Sequence, residues 1–329
     1  MKTKNNYLKY IVILLVIVFL ISAALLLFEM WERKKSRSPV TISEDGVVTY
    51  EGKEYVRKDN IETFLVMGLD KYEGESSSDS HGSSVQADFL MLFVFDNETQ
   101  QYSAIQINRD TMTTVNKLAI GGRKLDAETK QIALAYNVED PNEKVKCRNA
   151  MDAVETLLCD IDIDHYLSLT MDSVPVMNDL VGGVEVEILD DLTGIDDTLV
   201  KGECVNLTGE QALVYVRTRY GLEDSTNSTR MARQQQYVKA LHDKVLSCIE
   251  ADDGFIIDMI AAMDDYMVYD STDKRMQKFA EKFEKYEFLG IREIEGENEL
   301  GEEFIEFYPD INSIWEIVID LFYEPKTNG

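Results

Sequence analysis

The chain has 329 residues, 45% of them hydrophobic, and a formal net charge of -28; that is enough apolar material for one large buried core or two smaller ones. Residues 1–37 carry a net charge of +5, which leaves -33 on the remainder. So acidic a body excludes binding to nucleic acid or anionic lipid heads by bulk attraction, and any anion site in it has to be local and built from clustered arginine.

Lys2, Lys4 and Lys9 open the chain, and residues 10–28, YIVILLVIVFLISAALLLF, follow without a single charge. That length suits a membrane-spanning helix and exceeds the apolar core of a signal peptide, and no small-residue cleavage site closes it. The reading is a tail over 1–9, an uncleaved transmembrane signal anchor over 10–28, a polar, basic stalk over 29–43 and a domain over 44–329. Basic residues flank the span on both sides, so charge does not fix its orientation. Cys147, Cys159, Cys204 and Cys248 form no CxxC pair; they fit one bridge or four buried thiols, and no zinc site. His81, His165 and His242 are scattered and suggest no histidine metal site.

Residues 46–56 alternate around a Glu-Gly turn as a short hairpin. The apolar runs 62–69 and 87–95 read as buried strands, separated by a Ser/Gly-rich loop, and 101–107 alternates as a third strand. Helical spacing over 149–158 precedes a strand over 164–170. A helix over 171–180 stops at Gly182-Gly183 before a strand over 184–188. Beyond residue 251 helices are expected over 272–286 and 311–322, with a strand over 303–307. The alternation predicts an α/β fold with function at strand ends and loops.

Residues 208–236 concentrate the positive charge: Arg217, Arg219, Arg230 and Arg233 fall within seventeen positions. Thr208 and Gln211 have capping-box spacing, which starts a helix at Gly209 that runs out near Arg217 and Arg219. A polar loop follows, then a second helix with Arg230 and Arg233 one turn apart, reaching about residue 249. Guanidinium is the planar, always-charged fork that grips phosphate oxygens in pairs. Spacing alone does not separate such a site from exposed arginines answering nearby acids.

Three further positions sit at strand ends: Asp70, Asp88 and Arg109. A carboxylate there is commonly a turn residue or a helix cap. Two carboxylates near phosphate-seeking arginines also suit magnesium, which takes one or two carboxylates plus substrate phosphates, and that set would hold a diphosphate. No GxxxxGK[ST] or GxGxxG loop is present, nor a Ser-His-Asp or Cys-His set, so nucleotide hydrolysis and acyl transfer find no support.

The ordered blocks MGLD (67–70), AD before an apolar strand (87–95), INRDT (107–111), DLVGGVEVEI (179–188), LTGEQALVYVRTR (207–219) and RMARQQQYVKAL (230–241) resemble the LytR-CpsA-Psr family over residues 60–250. The resemblance implies an α-β-α sandwich with a central mixed sheet behind one N-terminal transmembrane helix. Residues 1–9 would then be cytoplasmic, and the domain would lie outside the membrane of a Gram-positive cell. It implies a magnesium-dependent phosphotransferase that moves an anionic or secondary glycopolymer, such as teichoic acid, from an undecaprenyl diphosphate carrier to peptidoglycan, forming a phosphodiester. An apolar pocket would take the polyprenyl chain.

By motif, Asp70 and Asp88 match the acidic pair near the metal and the attacking hydroxyl, one of them the general base. Arg109, Arg217, Arg219 and Arg230 match the arginines that grip the diphosphate; Arg233 and Gln234 match the pair just after. The chain departs from the pattern at Gln86, where the family commonly carries arginine, and in a longer loop between Asp70 and Asp88. Two other readings stay open: a non-catalytic polyprenyl-diphosphate-binding or regulatory protein of the same fold, favoured by Gln86, and a lipid diphosphatase.

Overall fold

A computed structural model describes residues 39–71, 85–218, 227–252, 254–302 and 304–327. The tail over 1–9, the anchor over 10–28, most of the 29–43 stalk, the loop after Lys71 and Arg219 lie outside the described residues. No helix among the described residues is long and apolar enough to cross a membrane.

The chain divides into two compact units, Met1–Tyr55 and Val56–Gly329. In the first, β1 (Val40–Ile42), β2 (Val48–Tyr50) and β3 (Lys53–Arg57) pair as an antiparallel meander. Positive φ at Glu51 (49°) and Gly52 (76°) gives the tight turn between β2 and β3 the twist a two-residue hairpin needs. The hairpin expected over 46–56 is therefore present. The stalk reading fails at its last residues, because Val40–Ile42 pairs with β2 and buries Val40.

The second unit is a mixed α/β fold around β4 (Ile61–Leu69), β5 (Ala87–Asp96) and β6 (Gln101–Ile107). Chain order continues with the hairpin β7 (Met112–Ala119) and β8 (Arg123–Gln131), a 3-10 turn over Ile132–Tyr136, helix α1 (Glu143–Leu157) and β9 (His165–Thr170). Helix α2 (Ser173–Leu180), β10 (Val184–Glu187), β11 (Cys204–Leu207) and α3 (Gly209–Arg217) follow. Then come α4 (Asn227–Ala251), α5 (Phe255–Met263), β12 (Met267–Tyr269), α6 (Asp273–Lys285) and β13 (Glu287–Glu293). The chain closes with β14 (Gly296–Leu300), β15 (Ile305–Pro309), α7 (Ile311–Phe322) and β16 (Tyr323–Pro325).

The central sheet has six strands in the order β12-β9-β4-β5-β6-β13. β9 on β4 and β13 on β6 are parallel; the other pairings are antiparallel, which makes the sheet mixed. The long apolar runs of β4 and β5 follow from burial on both faces. Tyr166 and Ser168 face α1, where Arg148 lies over the Tyr166 ring and the Cys147 thiol donates to Ser168 Oγ at 3.4 Å. Phe64 and Phe93, paired across β4 and β5, meet Phe279 and Phe283 of α6 at 4.5 and 4.9 Å between ring centres. Helices thus cover both faces.

All four cysteines are free, which removes the bridge. The alternative of four buried thiols is corrected as well: Cys147 is buried, Cys159 and Cys248 half-buried, and Cys204 exposed. Burial pushes the Cys147 thiol up to about 11, so it remains protonated and inert at neutral pH.

Candidate active site

β4 and β5 pair residue for residue from Ile61↔Asp96 to Gly68↔Phe89 and then jump to Leu69↔Ala87, which leaves Asp88 as the extra residue of a bulge. A bulge bends its strand and re-aims a side chain, which is why it recurs beside active sites. The close approach requires glycine on the opposite strand, since a Cβ on Gly68 would stand 2.9 Å from Phe89 Cβ. The expectation of strand-end chemistry thus has a structural cause.

Asp88 lies between two guanidinium groups. Arg109, in the turn after β6, donates from Nη1 to Asp88 Oδ1 and from Nη2 to Gln86 Oε1 at 2.5 Å, while its Nε stands 3.3 Å from Asp110 Oδ1. Arg230, in the first turn of α4, donates from Nη1 to Asp88 Oδ2 at 3.2 Å and from Nη2 to Asn227 Oδ1 at 2.6 Å. Asn227 Nδ2 in turn donates to Asn108 Oδ1 at 2.9 Å, which also accepts the Asp110 N–H at 3.0 Å. Asp88, Asn108, Arg109, Asp110, Asn227 and Arg230 are all buried, none more than 8% exposed. Desolvating charged groups costs as much as their pairing returns, so an ionic cluster of this kind is poor evidence for stability alone. Buried and convergent, it is the candidate site.

Arg217, the last residue of α3, reaches Asp70 Oδ1 at 3.6 Å, both side chains more than a third exposed. The capping box expected at Thr208 and Gln211 starts α3 at Gly209. Arg233 and Gln234 stand apart from Asp88. Arg233 is fully buried, donates from Nη2 to the Thr218 carbonyl, approaches Asp190 Oδ2 at 3.4 Å and lies over the Tyr215 ring. Burial lowers its pKa, with Asp190 opposing the shift. Gln234 Nε2 donates to the Val216 carbonyl at 3.2 Å. Together they fasten α4 to the carbonyls at the end of α3 and so hold the segment that presents Arg217.

An apolar cavity of about 340 Å³ opens between the sheet and α2, α4, α5 and α6. Val66, Phe89 and Phe93 form its floor; Met177, Leu241, Val245, Ile260 and Phe279 form its walls. The lining also includes Phe89, Val216 and Gln234, which adjoin Asp88, Arg217 and the arginine-bearing start of α4. The cavity and the ionic cluster therefore draw residues from the same elements, β5 and α4.

The sequence profile of the LytR_cpsA_psr family matches residues 22–317. The chain belongs to the LytR-CpsA-Psr family. Among similar proteins, a polyisoprenyl-teichoic acid–peptidoglycan teichoic acid transferase, TagU, of Bacillus licheniformis is 25% identical, over 74% of this chain and 72% of the relative. Biofilm regulatory protein A of Streptococcus mutans is 26% identical over 73% of this chain and 58% of its own length. The solved structure of TagT bound to LI-WTA shares the fold, with a TM-score of 0.59 at 18% identity over 80% of this chain and 90% of that one.

Within this LytR-CpsA-Psr domain the described motif arginines have three settings: Arg109 and Arg230 clasp Asp88, Arg217 pairs with Asp70, and Arg233 lies beside Asp190. Sequence reasoning missed Asn108 and Asn227, the amides that link the two clasping arginines. A signal existed: Asn227 precedes Arg230 by three residues on one helix face, and Asn108 immediately precedes Arg109.

Among the described residues no group of three or more acidic, histidine or cysteine side chains converges as a ready-made metal site. The donor chemistry nevertheless fits magnesium, which needs only one or two carboxylates when substrate phosphates complete its shell. The Asp70 side chain is 43% exposed, and each Asp88 oxygen accepts one guanidinium hydrogen bond with a lone pair to spare.

Proposed function

We propose that this chain is a phosphotransferase that moves a glycopolymer from an undecaprenyl diphosphate carrier onto peptidoglycan. The observation that carries the reading is an apolar cavity built on the same strand and helix, β5 and α4, as a buried cluster of Arg109, Arg230 and Asp88. An amphiphile with a long hydrocarbon tail and a compact polyanionic head matches both parts. The names of the family relatives, TagU among them, support the same substrate class.

In this reading the prenyl tail fills the cavity, and Arg109, Arg217, Arg219 and Arg230 hold the diphosphate. The acceptor hydroxyl attacks the sugar-bearing phosphorus and the bond to the prenyl phosphate breaks. A phosphodiester forms and prenyl monophosphate leaves. Asp70 takes the hydroxyl proton, because its side chain is 43% exposed and open to an acceptor while that of Asp88 is 7% exposed between two guanidinium groups. Magnesium, held by Asp70 and Asp88, would neutralise phosphate charge. Arg233 and Gln234 support this grip from behind, through the end of α3. The anchor over 10–28 would tether the domain outside the cell membrane, beside a substrate confined to the membrane plane.

The test is a transfer assay with the full chain in detergent, a short-chain prenyl diphosphate glycan and peptidoglycan fragments, with and without magnesium. A magnesium-dependent glycan–phosphate–peptidoglycan adduct supports the proposal; free glycan phosphate would make the protein a diphosphatase. A second reading, a binding or regulatory protein, draws on Gln86 and on the name of the Streptococcus mutans relative. Tight prenyl diphosphate binding without either product would establish it.

A further inference from the structure

We propose that Gln86 is a positioning residue for Arg109, and through it for the diphosphate. This rests on the diphosphate reading of the site. Gln86 stands just before β5, where its backbone carbonyl accepts the Asp70 N–H at 2.9 Å and its side-chain Oε1 accepts Arg109 Nη2 at 2.5 Å. One residue therefore fixes the strand end that carries Asp70 and the guanidinium beside Asp88.

The hydrogen bonds of Arg109 define what this achieves. Guanidinium carries five N–H donors in one plane. Asp88 takes one from Nη1, Gln86 takes one from Nη2, and Asp110 lies against Nε. Two hydrogen bonds, one on each terminal nitrogen, hold the fork, with Asp110 an ion-pair neighbour of an Nε that donates no hydrogen bond among the described residues, and they leave one N–H on each terminal nitrogen. Those two donors share the plane in which phosphate oxygens are gripped in pairs. Without the Gln86 acceptor the bond to Asp88 is, among the described residues, the one side-chain hydrogen bond left to the fork, which can then pivot about it.

Gln86 also decides the local charge. Arg109 and Arg230 are balanced here by Asp88 and Asp110. An arginine at position 86 would add a third cation; glutamine instead contributes a neutral acceptor.

The experiment is calorimetric titration of the full chain in detergent micelles with farnesyl diphosphate and with farnesol, which has the same tail and no phosphate. Gln86→Met keeps the size and removes the acceptor. It should weaken farnesyl diphosphate binding about tenfold, the scale of one hydrogen bond to a charged group, and leave farnesol binding unchanged. In an Arg109→Lys background the same change should cost nothing further, because the effect runs through the fork. Three outcomes would overturn the proposal: wild-type affinity in Gln86→Met, an equal loss for farnesol, or a full additional loss in the Arg109→Lys background. A wild-type chain that binds farnesol but not farnesyl diphosphate would overturn the diphosphate reading itself, and this inference with it.

Discussion

Asp88 accepts from two cations that come from distant parts of the chain, Arg109 after β6 and Arg230 at the start of α4. Arg230→Ala removes one of them and strands the Asn227 carbonyl. The expected cost is about 2 kcal/mol in denaturant unfolding, less than for a carboxylate left wholly unpaired, because Arg109 remains. Glu155, on α1, gives a pH signature. Burial raises its pKa, Asp152 and Asp162 add to the shift, and the hydrogen bond from the Ile163 N–H opposes it. The folded state therefore holds this proton more tightly than the unfolded chain. The resulting stability is present in acid and fades as pH rises above about 4.3. Glu155→Gln keeps the acceptor for Ile163 and should unfold at a higher temperature than the wild type at pH 7, with the gap closing by pH 4. At this scale Asp70, Asp88, Arg109, Arg217 and Arg230 were legible, because charged residues at strand ends and helix starts are conspicuous in a sequence. Asn108, Asn227 and the part played by Gln86 were not, since an amide announces its role only through a partner brought from elsewhere.

Among the elements, the bulge in β5 is open to disruption by a single substitution. Gly68→Ala would place a methyl 2.9 Å from Phe89 Cβ, and the strands would have to separate. Overpacking at such a contact costs about 1–3 kcal/mol, so a lowered melting temperature is expected, together with weaker diphosphate binding as Asp88 shifts. The apolar strands β4, β5 and β6 and the helices α2, α3, α4 and α7 were readable from periodicity and capping. The hairpin β7–β8 was not: RKLDAETKQ in β8 is almost wholly exposed and polar, so no alternation marks it. Helix α1 starts at Glu143, earlier than the expected residue 149, because Asn142 caps it by accepting the Lys144 N–H while its first turn is polar. Cap chemistry set that boundary and apolar spacing missed it.

For the whole molecule, the cavity is void that the fold keeps open at the expense of packing. Val238 lines the cavity from α4, and Val238→Trp should fill part of it, remove prenyl diphosphate binding and leave the melting temperature unchanged or raised, since added apolar contact restores dispersion otherwise lost around a void. A fall in melting temperature with binding retained would show that the cavity is not where the tail lies. The mixed α/β architecture was foreseeable from alternating strands and helices. The apolar pocket came from the family resemblance and not from periodicity, because Leu241, Val245 and Phe279 have the spacing of ordinary core residues.

Helix α4 does two things with one rigid rod. Arg230 sits in its first turn, and the same helix lines the cavity from Gln234 to Ile249, about 22 Å at the usual helical rise. In the proposed reading the distance from head group to far wall is then fixed by a count of residues, and the helix would serve as a ruler. Affinity for prenyl diphosphates should rise with each added isoprene unit until the tail reaches that length and then level off, a breakpoint that a series of chain lengths would locate.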